Sequence, residues 1–207
     1  MINLILTMIL LLTDAKVTFD RNGNDVANRD FKFKNIASPV NDDAASNAKL
    51  TLIDGELDGG SAELSALIDG RLPHDEDEPG ANVYFRAGSS GGRFRVDFGG
   101  VIEIARVNTY SWHPSSRGPQ LYKLYAANGA DPKFNPDPKR GVDPASCGWK
   151  LIALVSTLSD RGEEGGQYAA SVTGIGKYRY LLFDCYVTEL HDNWGNTFYS
   201  EIDVVGK

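Results

Sequence analysis

Between two alternating apolar runs, the stretch Tyr110-Ser111-Trp112-His113-Pro114-Ser115-Ser116-Arg117-Gly118-Pro119-Gln120 gathers an indole, an imidazole, a guanidinium and two prolines in one connection. Turn chemistry alone asks only for Gly, Asn or Pro at fixed offsets, so this is the composition of a recognition loop. A second aromatic and polar loop, Asn193-Trp194-Gly195-Asn196-Thr197-Phe198, runs into a strand pattern that ends at Val205. The candidate ligand-binding residues are therefore Trp112, His113, Arg117, Asn193 and Trp194. Two bland readings stay beside this one: Trp112 as core packing, and Arg117 as a structural donor to loop carbonyls beside Pro119.

Reactive motifs fail on context. Gly88-Ser89-Ser90-Gly91-Gly92 has the letters of a nucleophile elbow, but a strand pattern follows where a helix is required, so it reads as a glycine turn. Gly174-Ile175-Gly176-Lys177 lacks the Ser/Thr and the first Gly of a phosphate loop. In Asp20-Arg21-Asn22-Gly23-Asn24-Asp25 the glycine is misplaced for an EF-hand, and Phe31 stands at position twelve. His74, His113 and His191 lack helical metal spacing, and Cys147 and Cys185 lack zinc spacing; the two cysteines either pair or are buried thiols. Glu189, His191 and Asp192 are the nearest approach to an acid–base cluster, and read as solvated loop residues or partners for a ligand. No catalytic residue is assigned. Asp69-Gly70 and Glu201 offer the hard oxygens that Ca²⁺ prefers, but alone they read as a turn and an exposed strand Glu.

The elements that must position these residues are short. After Ala37, segments bounded by Gly, Pro, Asn or Asp predict strands over 49–53, 82–87, 93–98, 102–112, 121–127, 150–156, 167–172, 178–187 and 199–205. This predicts an all-β, antiparallel sandwich without a long helix. Strict alternation in Arg93-Phe94-Arg95-Val96-Asp97-Phe98 predicts one face in the core and one in water. Tyr180-Leu181-Leu182-Phe183 predicts a central strand covered on both sides. Residues 128–148 hold four prolines and predict an ordered surface excursion that gates or decorates a site.

A chain of 207 residues with 42% apolar content supports one core, here assigned to residues 37–207. Residues 16–36 are a linker or an added edge strand. The apolar run within residues 1–15 is placed as a secretory leader is, or is a buried strand; it implies export to the cell surface or medium, with no membrane insertion of the mature domain. A net charge of -7, with no basic cluster, excludes nucleic acid as a partner.

The succession Ser65-Ala66-Leu67-Ile68-Asp69-Gly70, Phe94-Arg95-Val96-Asp97-Phe98-Gly99, Ile104-Ala105-Arg106-Val107, Arg117, Tyr122 to Gly129, Trp149-Lys150, Tyr178-Arg179-Tyr180-Leu181 and Glu201-Ile202-Asp203-Val204 resembles the coagulation-factor type C, or discoidin, family of the galactose-binding-domain-like superfamily. It is also similar to accessory domains of exported proteins of environmental bacteria. The resemblance implies a jelly-roll β-sandwich of two antiparallel sheets and a non-catalytic carbohydrate-binding module, with a glycan ligand bound by loops at one end. It further implies a structural Ca²⁺ at Asp69 and Glu201. The Thr-x-Trp usual after the Asp-Gly turn is replaced by an acidic insertion over residues 71–80, so the remaining calcium ligands are not legible. A structural or protein-interaction domain of a larger exported protein is the alternative, since exposed tryptophans serve either role.

Overall fold

Phe94 and Val96 turn inward, as their alternation dictates, but the strand that carries them is much longer than predicted. The computed structural model describes residues 15–160, 165–189 and 194–207. Its strands are β1 (Lys16–Asn22), β2 (Lys49–Asp54), β3 (Gly91–His113), β4 (Leu121–Ala127), β5 (Lys150–Ser156), β6 (Gly166–Tyr186) and β7 (Tyr199–Gly206). Four of the expected segments have fused into two, β3 and β6. Gly99, Gly174 and Gly176, which read as turns in sequence, have φ of 76°, 75° and 105° and form corners inside these strands. Pairing of β3 with β6 slips between Asp97 and Ile102 and again between Ile104 and Arg106, then resumes. Such slips bend a strand without ending it.

Because each long strand bends, each belongs to two layers. The first halves of β3 and the last of β6 pair with β2 and β4, giving the order β2-β3-β6-β4-β5. Beyond the corner, β7 adds to β3 and β1 adds to β6. All pairings are antiparallel. The main core lies between the layers: Phe94, Val96, Leu124, Val155, Leu181 and Phe183 meet Val107, Ala170, Val172, Ile202 and Val204. This is the two-sheet jelly-roll sandwich. Residues 82–87 form only isolated bridges, Leu57 with Phe85 and Val83 with Tyr199, in place of the expected strand.

The face expected in water is covered. Arg93 and Arg95 are 6% and 9% exposed, because the 128–148 excursion lies across them. Arg93 Nη1 donates to the carbonyls of Pro138, Lys139 and Val142, and Arg95 Nη1 donates to that of Pro136. Trp149 Nε1 donates to Asn135 O at 2.8 Å, and Phe134 stacks on Tyr180 at 5.1 Å. The excursion is therefore a pinned cover, its carbonyls satisfied by guanidinium donors. Asp184, fully buried, supplies the countercharge, with Arg93 Nε at 2.9 Å and Arg140 Nε at 3.5 Å. Neither cysteine is in a disulfide; Cys185 is buried and Cys147 half-buried.

The outer face of the second layer is covered as well. Phe31, Phe33 and Ile36, from the chain before β2, pack on Tyr110, Trp112 and Ala169. Removing the shared countercharge should be costly, since a buried cation left alone destabilises by about 3 kcal/mol or more. Asp184→Ala is expected to lower the urea midpoint accordingly and to free the excursion to proteolysis; an unchanged midpoint would refute the pinned-cover account.

Candidate functional site

Four connections meet at one end of the sandwich: residues 56–61, 86–90, 114–119 and, in the last, 187–189 and 194–198. Backbone donors and acceptors bind them together. Asp58 Oδ2 accepts from Ala87 N at 3.2 Å, and Asn196 Nδ2 donates to Arg86 O at 3.0 Å. Thr188 Oγ1 donates to Ser116 O at 2.9 Å, and Phe198 N to Arg117 O at 2.8 Å. Ser89 Oγ donates to Arg86 O at 2.7 Å, which closes a turn leading into β3 and leaves no nucleophile elbow.

Arg117 is the centre of this end. Its side chain is buried, and its guanidinium carbon lies 4.9 Å from the ring of Tyr84 and 4.6 Å from those of Trp194 and Phe198. Tyr84 and Phe198 stack at 4.1 Å. Nε donates to Trp194 O at 3.2 Å, while Nη2 finds no hydrogen-bond partner among the described residues. Ring quadrupoles thus supply part of the compensation that carboxylates ordinarily give a buried guanidinium. The structural expectation for Arg117 is met, since it holds a loop carbonyl, and it sits under the exposed indole of the end loop. Trp194 is 53% exposed and presents an open ring surface.

His113 is half-buried beside this cage, edge-on to Phe198 at 4.7 Å. Its Nδ1 accepts from Ser115 N at 3.0 Å, which places the proton of the neutral ring on Nε2, 4.0 Å from Asp77 Oδ1. Burial pulls its pKa down to about 4, against the opposing pull of Asp77. Of the two readings of Trp112, core packing holds and ligand binding at the surface does not. Its ring packs inward, edge-on to Phe31 at 5.7 Å, because the preceding chain folds over the outer face of β3. Asn193, with His191 and Asp192, lies outside the described residues. Glu189 is described, in the loop closed by Thr188 N donating to Gly195 O at 2.7 Å. Tyr84, Asp58 and Asp77 were not singled out in sequence, since a lone Tyr in a strand-like run and acids in loops carry no pattern.

Asp69 and Glu201 come together. Gly70 N donates to Glu201 Oε2 at 3.0 Å, and Ile202 N lies 3.2 Å from Oε1. Contrary to an exposed strand Glu, Glu201 is 1% exposed, because β7 is covered by the chain around Leu64–Ile68. Burial, with the charges of Asp203 and Asp69, pushes its carboxyl up to about 9. The neighbouring Asp203 is raised to about 7, again mainly by burial. A buried carboxylate whose charged neighbours are negative fits a hard cation. Among the described residues no three His, Cys, Asp or Glu side chains group as a metal shell. No helix among the described residues is long and apolar enough to cross a membrane.

The His113 shift has a stability consequence. The folded ring resists protonation down to about pH 4, whereas the unfolded ring protonates near 6.5, so stability is present above about pH 6.5 and is lost as pH falls to about 4. Up to about 3 kcal/mol is at stake over that window. Urea midpoints should fall more steeply between these pH values in the wild type than in His113→Gln; parallel curves would show that the ring is not the titrating group.

Neither a protein-family model nor a curated protein matches the chain. Solved structures do. A chitosan-binding module 1 derived from a chitosanase/glucanase of Paenibacillus sp. IK-5 superposes with TM-score 0.51 at 16% identity, over 80% of this chain and 99% of that one. GH31 CBM32-2, solved bound to GalNAc, superposes with TM-score 0.50 at 12% identity, over 78% of this chain and 98% of that one. At these identities the likeness is one of fold: the chain has the β-sandwich fold of carbohydrate-binding modules of the CBM32 kind.

Proposed function

We propose that the chain is a non-catalytic carbohydrate-binding module that takes a glycan on its loop end, as part of an exported protein. The observation that carries this reading is the half-exposed Trp194, seated on the buried Arg117 and flanked by Tyr84, Phe198 and neutral His113. A flat ring suits the C–H face of a sugar, and a few fixed polar groups select its hydroxyls. Here Asp58, Asp77 and the Nε2–H of His113 are those groups, and Arg117 holds the platform that carries the ring. None of this requires a reactive nucleophile. The two fold neighbours, solved as a chitosan-binding module and in complex with GalNAc, support the same reading.

A structural Ca²⁺ belongs to the proposal. Glu201 and Asp69 would hold it with neighbouring carbonyls, and its charge would offset the buried carboxylate. Its role is to tie the turn after Leu64–Ile68 to β7, not to take part in chemistry.

Trp194→Ala is expected to weaken glycan binding by about tenfold or more while lowering the melting temperature by only a few degrees, the part owed to the lost ring over Arg117. A glycan array followed by calorimetry on the best ligand reads this directly. Binding to no glycan, or equal binding by the variant, would move the chain to the protein-interaction alternative.

At free Ca²⁺ about a hundredfold above Kd, the bound ion should add about 3 kcal/mol, or about 5–10 °C in Tm for a chain of this size. Chelation should reverse that gain in the wild type and have no effect in Glu201→Gln; a wild type indifferent to chelator removes the metal.

A further inference from the structure

An open cleft of about 490 Å³ lies between the chain before β2 and the turn after Asp69. It is lined by Arg29 and Asp30 on one wall and by Gly70, Arg71, Leu72 and His74 on the other. Both arginines are exposed. The ion pairs formed among the described residues leave both guanidiniums without a carboxylate. The one acid of the lining, Asp30, is held by Lys32 at 3.0 Å, and His74 Nδ1 lies 3.8 Å from Glu78.

The backbone beneath both arginines is fixed. Asn28 Oδ1 accepts from Asp30 N at 3.2 Å, and the next residue, Phe31, is fully buried. Asp69 Oδ1 accepts from Arg71 N at 2.9 Å, and Gly70 N is tied to Glu201. Leu72 packs against the Phe31 cluster and gives the cleft an apolar floor. Two arginines on anchored backbone thus line one cleft together with Leu72, an arrangement of donors that suits a planar or tetrahedral oxyanion.

We propose that this cleft binds the anionic substituent, carboxylate or sulfate, of an otherwise neutral glycan. The carrier being a glycan rests on the function proposed above; the anion site rests on the cleft alone. The charge of the chain limits the ligand further. With a net charge of -7 and the acidic residues Asp75 to Glu78 close by in sequence, a densely charged polyanion is repelled as a whole. Within the cleft Lys32 offsets Asp30, so a single substituent meets the two arginines as the uncompensated charge, while the acids from Asp75 to Glu78 bear on an extended polyanion. The cleft therefore selects sparse charge.

The test uses the full chain and three oligosaccharides of one backbone: neutral, bearing one uronate, and bearing one sulfate. Affinities are measured for wild type, for Arg29→Gln/Arg71→Gln and for Trp194→Ala. Wild type should bind at least one charged probe more tightly than the neutral one, and the double variant should lose that advantage, about tenfold, while keeping neutral binding. Advantage for sulfate alone or uronate alone names the source; advantage for both means that charge is what is read. No advantage of charged over neutral probes in the wild type, or an advantage retained by the double variant, overturns the proposal. Failure of the glycan reading looks different: the neutral probe does not bind, or binds Trp194→Ala as well as wild type, whatever the arginine pair does.

Discussion

The continuity of β3 and β6 is the constraint on which the rest of the structure depends. Each strand pairs with the other along almost its whole length and bends at a glycine corner, so one ladder serves both layers. A pair of separate sheets would need side chains alone to hold them in register. Here the backbone hydrogen bonds that join the layers are the same ones that build them, and a slip in one layer would disrupt the other. That coupling places His113 at the end of β3 and Gly166 opposite it, so the connections before and after these strands are delivered to fixed ends.

Charge is handled differently at the places where it is buried. Under the 128–148 excursion, Arg93 and Arg140 share Asp184, and carbonyls take the remaining donors. At the loop end, Arg117 has rings around it and one unpartnered nitrogen. Within β7, Glu201 has backbone donors and negative neighbours among the described residues. The first arrangement is closed and structural. The second and third leave one guanidinium nitrogen and one carboxyl inside the fold without an ion-pair partner among the described residues, an uncommon state for buried polar groups.

The two non-strand covers share a logic. A strand exposes two faces, and a sandwich core hides only one, so polar or aromatic outer faces need either water or a lid. The excursion covers Arg93, Arg95 and Tyr180; the chain before β2 covers Tyr110 and Trp112. The second cover also forms one wall of the arginine-lined cleft, so a segment outside the sandwich core gives the molecule a surface that the strands alone lack.

Much of this was legible in the chain itself. Local alternation and glycine punctuation gave the all-β class, and β4 and β5 begin and end where their apolar runs do, since pattern and pairing coincide there. The two aromatic loops were visible because indole and guanidinium are out of place in plain turns. Three things were decided only by tertiary contact. Gly99 and Gly174 became corners and not turns, because a partner strand continued past them. Trp112, at the end of a strand pattern, could read as core or as ligand-binding, and a returning segment decides it as core, whereas Trp194 in its polar loop stays at the surface. Glu201 reads as a solvent-facing strand residue until β7 is covered from outside; burial is a property of what packs on a residue, and no run of neighbours along the chain encodes that.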